Sequence, residues 1–119
     1  METLHLTLKK KWFDMILSGY KTEEYRELKD YWCKRFCLRN WQSFEIEIFE
    51  HALNWDKLQF KTITFTNGYG NDKPQLVIEF KGVKIGKGKT HWGAEPHENY
   101  FVLKLGNIIK TRNCAVGGN

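Results

Sequence analysis

The amino-acid sequence predicts an α+β fold, with short helices early in the chain and strands in its later part. Apolar residues recur at helical spacing within residues 10–39, whereas between residues 62 and 105 they alternate with polar residues as in half-buried strands. The later strands follow one another without intervening helices. This order favours a mixed or antiparallel, barrel-like sheet with two or three short helices.

The composition indicates one packed domain. The 119 residues are 41% hydrophobic and 15% aromatic, and a chain of this length buries over about 60% of its unfolded surface. We expect a single domain over residues 1–110 and a polar C-terminal tail over residues 111–119. No stretch reaches about 18 uninterrupted apolar residues, so no membrane span is predicted.

Cysteine usage indicates a cytoplasmic protein. The three cysteines are odd in number, and the N-terminal residues do not follow a secretory pattern. Cys33 and Cys37 are close in sequence and Cys114 is distant from both, which does not supply the four ligands of a zinc site. We therefore expect free thiols, no metal and no cofactor.

The first half of the chain predicts alternating strands and helices. The predicted elements are a strand over residues 3–8, a helix over 10–18, a strand over 21–28 and a helix over 30–39. Gly19 is expected to end the first helix, because glycine adopts a positive φ at low cost, and Asp30 to cap the second. Residues 43–55 fit a strand or a helix, and we favour the helix.

The second half predicts strands separated by glycine-rich segments. We expect strands over residues 62–66 and 76–80, joined by a loop over residues 67–74. A bulge at Gly82 is predicted, after which Val83 and Ile85 return to the inward face. A last strand covers residues 101–105 and runs on to Ile109.

Charge is segregated along the chain. Residues 40–56 contain four acidic residues and no Lys or Arg, whereas residues 81–89 contain four lysines and no acidic residue. The formal net charge is +5. Such segregation is typical of proteins that bind polyanions on one basic face.

The segment Gly86–Thr90 ends like a P-loop. The glycine required five residues before Gly88 is replaced by Val83, and no helix is predicted to follow. These departures argue against nucleoside triphosphate hydrolysis. We expect a flexible lysine-rich loop here, either a solvated turn or a contact for backbone phosphates.

A second group of polar residues follows this segment. His91, Glu95, His97 and Glu98 are metal-ligating residue types, but no HExxH spacing is present and Pro96 interrupts the segment. We interpret them as exposed loop residues.

The most informative segment is residues 19–26, where the first helix passes directly into a strand. Alternation places Thr22, Glu24 and Arg26 on one face of this strand, with Lys21 at its start. An ammonium, a carboxylate and a guanidinium can therefore converge on one side of a sheet. The alternative is a surface ion pair worth under about 1 kcal/mol.

The pattern Gly19-x-Lys21-x-x-Glu24-x-Arg26, after a helix with Trp12-Phe13-Asp14, resembles the ASCH family. Further segments that resemble its small stand-alone bacterial and phage members are Asn67-Gly68-Tyr69, Gly86-x-Gly88, Trp92-Gly93-Ala94 and Tyr100–Gly106. The resemblance implies a PUA-like β-barrel with a cleft lined by Lys21, Glu24 and Arg26, and an RNA-related role. Some small members of the family resemble amidohydrolases that deacylate a modified cytidine and carry Lys-x-x-Thr. Here the threonine position is Glu24, and Thr22 lies two residues earlier.

Three functions follow as hypotheses. The first is a domain that binds RNA or an RNA-derived nucleotide through a basic groove. Its expected phosphate-binding residues are Lys9–Lys11, Lys34, Arg35 and the lysines of 81–89. Its expected ligand-binding residues are Lys21, Thr22, Glu24, Arg26, Asn67, Tyr69 and Trp92, with Tyr69 or Trp92 stacking a base.

The second hypothesis is a hydrolase acting on RNA or on an acylated nucleoside. Lys21 is then the general acid or transition-state cation, Glu24 the general base and Arg26 the anion stabiliser. The third is a protein-interaction factor that uses the acidic segment 40–56.

Overall fold

The computed structural model of the protein describes residues 2–36, 60–68 and 72–114. Its elements are β1 (Glu2–Leu8), α1 (Lys10–Leu17), β2 (Glu23–Arg26), α2 (Asp30–Phe36), β3 (Phe60–Asn67), β4 (Gln75–Lys87), a 3-10 turn (Thr90–Trp92) and β5 (Asn99–Arg112). The protein is thus a small α+β domain. The expected helix over residues 43–55 and the acidic segment 40–56 lie outside the described residues.

The strands form one five-stranded mixed sheet in the order β1-β3-β4-β5-β2. β1 pairs with β3 in parallel, β3 with β4 antiparallel, and β2 with β5 antiparallel. None of the helices in the described part of the chain has the length and apolar character needed to cross a membrane.

The chain divides into two compact units. One contains Met1–Thr22, Phe60–Phe80 and Leu105–Asn119, and the other contains Glu23–Gln59 and Lys81–Lys104.

In the first unit, the apolar face of β1 packs beside β3. Leu4 and Leu6 are buried and lie in register with Ile63 and Phe65. Alternation of apolar and polar residues places these side chains on one face, and burying each contributes about 1.5–3 kcal/mol. The predicted strand over residues 3–8 is confirmed.

Helix α1 follows β1 and buries Phe13 and Ile16, which are three residues apart on one helix face. Gly19 ends the helical segment with a φ of +87°, as predicted, and its N–H donates to the carbonyl oxygen of Ile16 at 3.0 Å. The N–H of Lys21 donates to the carbonyl oxygen of Met15, also at 3.0 Å. The helix end therefore fixes the backbone at Lys21.

In the second unit, β2 pairs with β5, and Glu24 lies opposite Leu103. The buried apolar residues of this unit include Phe36, Val83, Ile85, Trp92, Ala94, Phe101, Val102 and Leu103. Phe36 of α2 contacts Phe101 edge to face, with ring centroids 5.4 Å apart. This contact anchors α2 beside β5.

Several predicted element boundaries were wrong. β2 spans four residues rather than residues 21–28. β4 continues to Lys87, so residues 86–87 belong to a strand and not to a flexible loop. β5 continues to Arg112, so the polar residues that were assigned to a tail from 111 begin inside a strand. Both strands extend beyond their apolar patterns because backbone hydrogen bonding between strands does not depend on side-chain polarity.

The buried positions of β4 shift by one residue near Gly82. Leu76, Ile78 and Phe80 are buried at even numbers, whereas Val83 and Ile85 are buried at odd numbers. Gly82 itself has a φ of +131°, which side chains other than glycine rarely tolerate. Val83 and Ile85 thus return to the inward face, as predicted.

Candidate functional site

Lys21 lies in the first unit with its side chain almost fully buried. It is 1% exposed, and its Nζ lies 5.6 Å from the ring centroid of Trp12. Lysine is almost never fully buried unless its ammonium has partners, because desolvating a charge is costly. The Trp12 ring is one partner, through its electron-rich face.

Glu24 and Arg26 lie together in the second unit. The Glu24 side chain is buried, and its Oε2 lies 3.2 Å from Arg26 Nη2. The guanidinium carbon of Arg26 is 5.3 Å from the ring centroid of Trp32, on α2. Since both residues occupy one face of β2, their predicted shared orientation is confirmed. The guanidinium is thus held by a carboxylate and lies within cation–π distance of an aromatic ring.

The other predicted ligand-binding residues that the structure describes lie at or beside the ends of their elements. Thr22 is exposed and precedes β2 by one residue, Asn67 ends β3, and Trp92 ends the 3-10 turn. Tyr69 lies outside the described residues. Trp92 is only 7% exposed, which leaves little of its ring available for a base to stack on. That Lys21, Glu24 and Arg26 meet in one cleft stays a prediction.

The opposite face of β2 carries a second polar cluster. The Tyr25 hydroxyl donates to Glu23 Oε1 at 2.8 Å, and Lys104 Nζ donates to Glu23 Oε2. Burial alone would raise the pKa of Glu23, but the hydrogen bonds from Lys104 and Tyr25 and the positive charges of Lys104 and Lys84 lower it below its ordinary value. Glu23 is therefore held as a carboxylate.

The same environment keeps the Tyr25 phenol protonated. Burial raises the pKa of Tyr25, and the hydrogen bond to Glu23 and the negative charges of Glu23 and Glu24 raise it further, against a lowering by the N–H of Lys89. The phenol is thus a fixed donor to Glu23 at neutral pH.

Two tyrosine hydroxyls hold the segment between β4 and β5. The Tyr25 hydroxyl accepts the N–H of Lys89 at 3.0 Å, and the Tyr100 hydroxyl accepts the N–H of Glu95 at 2.9 Å. The two rings lie 5.8 Å apart. We call Tyr25 and Tyr100 the tyrosine clamp. It fixes the backbone on both sides of the 3-10 turn.

Four lysines lie along β4 and just after it. Lys81, Lys84, Lys87 and Lys89, which we call the lysine row, are all exposed. Lys89 Nζ lies 4.5 Å from the ring centroid of Trp92, and Lys87 Nζ donates to the carbonyl oxygen of His97 at 3.5 Å. The row is therefore carried by a strand and a clamped turn, which corrects the expectation of a flexible loop.

The polar residues beyond the 3-10 turn do not converge. His91, Glu95, His97 and Glu98 are all exposed. Within residues 2–36, 60–68 and 72–114, no three His, Cys, Asp or Glu side chains are grouped so that they could hold a metal ion.

Sequence reasoning missed the cluster formed by Glu23, Tyr25, Tyr100 and Lys104. Alternation along β2 does place Glu23 and Tyr25 on one face. Their partners lie more than 60 residues away along the chain. The register that pairs Glu23 with Lys104 was needed to find the rest.

Searches against protein-family models, curated proteins and solved structures found no match for this chain.

Proposed function

We propose that the protein is a cytoplasmic domain that binds RNA or an RNA-derived nucleotide. In this proposal the sheet belongs to a PUA-like barrel of the ASCH type, and Lys21, Glu24 and Arg26 contribute to the ligand site. The observation that carries the proposal is the lysine row on the second unit.

The lysine row has the features of a phosphate-binding surface. Its four ammonium groups are exposed, and no acidic residue occurs between Phe80 and Ala94. Lys81 and Lys84 share the outward face, because the alternation shifts by one residue at Gly82. Lys84 and Lys87 are three residues apart, roughly 10 Å along the strand, and this odd separation directs their side chains to opposite faces. Cations distributed along a strand in this way suit a polymer of phosphates better than a single small anion.

Salt dependence of RNA affinity tests this function. We expect the logarithm of the association constant of wild-type protein for a short single-stranded RNA to fall linearly with the logarithm of the KCl concentration. Lys84→Gln and Lys87→Gln are each expected to reduce that slope by about one. Fluorescence anisotropy measures both quantities.

The matched control is Lys29→Gln. Lys29 is an exposed lysine of the same unit that pairs with Glu27 at 3.2 Å, and it lies outside the lysine row. Its replacement removes the same charge and should leave the slope unchanged. An affinity that does not change between 50 and 200 mM KCl, a range over which several phosphate contacts cost orders of magnitude, would eliminate the proposed interface.

A hydrolase is the second candidate, and burial of charge favours it. Lys21 and Glu24 are 1% and 6% exposed, and buried ionisable residues concentrate at catalytic sites. In this candidate Lys21 stabilises developing negative charge, Glu24 takes the proton of water and Arg26 binds the anion.

The test is the deacylation of N4-acylated cytidine and the cleavage of RNA by wild-type protein, Lys21→Ala and Lys21→Met. Methionine keeps much of the volume of the buried side chain, so a loss of product in both variants with a retained fold assigns the loss to the ammonium. Equal product from all three proteins would remove Lys21 from any catalytic role.

A further inference from the structure

The segment that follows β4 is held in one conformation by contacts to β2 and β5. The Tyr25 hydroxyl accepts the N–H of Lys89, and the carbonyl oxygen of Lys89 accepts the N–H of Trp92 at 3.0 Å and that of Ala94 at 3.3 Å. Both backbone groups of Lys89 therefore have partners. Lys89 lies two residues beyond the end of β4, and its ammonium group lies over the Trp92 ring.

Close packing at Gly88 fixes the Tyr25 ring as well as its hydroxyl. A Cβ placed on Gly88 would lie 2.7 Å from Tyr25 Cζ and 2.7 Å from Ala94 Cβ. The phenol is therefore confined by the backbone it binds, and Glu23 orients it from the other side through a 2.8 Å hydrogen bond. Lys104 in turn holds Glu23.

We propose that Tyr25 is a positioning residue for RNA binding, which acts by holding Lys89 in place as the last cation of the lysine row. This inference rests on the proposed function. It deepens that function because it makes the geometry of the row, as well as its charge, a determinant of affinity. Tyr25 does this through its hydroxyl, with no contact to the ligand.

The contribution of the Tyr25 hydroxyl can be tested separately from that of its ring. Tyr25→Phe keeps the ring that packs against Gly88 and removes the two hydrogen bonds that end at Glu23 and Lys89. We expect this variant to remain folded and to lose roughly two- to tenfold in RNA affinity, the range that the net contribution of one hydrogen bond gives.

A double-mutant cycle separates positioning from a general loss of stability. If Tyr25 acts through Lys89, then Tyr25→Phe costs little further affinity when Lys89→Gln is already present. The control cycle pairs Tyr25→Phe with Lys81→Gln, at the far end of the row, where the two losses should add. Additive losses in the cycle with Lys89 would overturn the proposal.

Amide hydrogen exchange in the free protein gives an independent readout. We expect the Lys89 amide to exchange at least several-fold faster in Tyr25→Phe, because its acceptor is gone, whereas the Asn67 amide, which donates to Pro74 at 2.9 Å, is unchanged. Unchanged exchange at Lys89 would refute the positioning role even if RNA binds. Faster exchange in a protein whose affinity for RNA does not depend on salt would instead place the failure in the proposed function.

Discussion

The absence of a Cβ atom at Gly88 allows close packing in the second unit. Because a Cβ at this position would meet the Tyr25 ring and Ala94 at 2.7 Å, the tyrosine clamp requires glycine there. We expect Gly88→Ala to lower the free energy of unfolding by about 1–3 kcal/mol, as overpacking does. Urea denaturation followed by tryptophan fluorescence measures the change.

Gly86→Ala is the control for this substitution. A Cβ on Gly86 would lie 3.9 Å from the flexible end of Lys84, an ordinary contact, so its effect should stay within about 0.5 kcal/mol of wild type. Equal destabilisation by the two substitutions would show that the close contacts at Gly88 are not the reason why alanine is unfavourable there.

We expect Glu23 to make the protein less stable at acid pH. The pKa of Glu23 in the folded protein lies below its ordinary value of 4.5, so its contribution is present above pH 4.5 and is lost as the pH falls through the folded value. We expect the difference in melting temperature between wild type and Glu23→Gln to be largest near pH 7 and to shrink below pH 4.5. Thermal unfolding followed by circular dichroism measures it. A difference that is constant from pH 7 to pH 3 would contradict the assignment.

The candidate site could be predicted from the sequence only in part. Strand alternation correctly places Glu24 and Arg26 on one face, whereas Lys21, which was expected at the start of the strand, lies two residues before β2. The burial of Trp92 and the role of Tyr25 could not be predicted, because both depend on contacts with residues far along the chain. For Tyr25 that separation is 64 residues.

At the end of α1 a single residue type, the glycine at position 19, determines the backbone conformation. Gly19 has a φ of +87°, and no atom lies within 4 Å of the position that a Cβ would occupy there, so a substitution costs backbone strain without steric clash. We expect Gly19→Ala to destabilise the protein by about 1 kcal/mol. Gly19→Asn should recover much of this loss, because asparagine tolerates the left-handed region. Urea denaturation of both variants provides the comparison, and equal stability of alanine and glycine would contradict it.

Strand and helix positions were predicted better than strand pairing. The apolar alternation of β1, β3, β4 and β5 identifies each strand, because half-buried strands have a two-residue period. The parallel pairing of β1 with β3 has no local signal, since it depends on the path of the intervening chain. The ends of β4 and β5 extend through polar residues, where pairing of backbone groups decides the boundary.

For the molecule as a whole, the arrangement of charge can be tested separately from its amount. Replacing all four lysines of the lysine row by glutamine lowers the formal net charge from +5 to +1. Replacing Lys29, Lys61, Lys73 and Lys110, which are exposed and lie elsewhere, gives the same net charge. We expect the first variant to elute from a heparin column at clearly lower salt than the second. Identical elution would show that net charge alone governs binding.

The parallel pairing of β1 with β3 also affects how the nascent chain folds on the ribosome. β1 ends at Leu8, whereas β3 begins at Phe60, so synthesis must continue for on the order of 3 to 10 s at 5–20 residues per second before this partner emerges. During that interval the leucines of β1 lack the partner that later covers them. The parallel pairing of β1 is therefore expected to be completed late, only after more than half of this sequence has been synthesised.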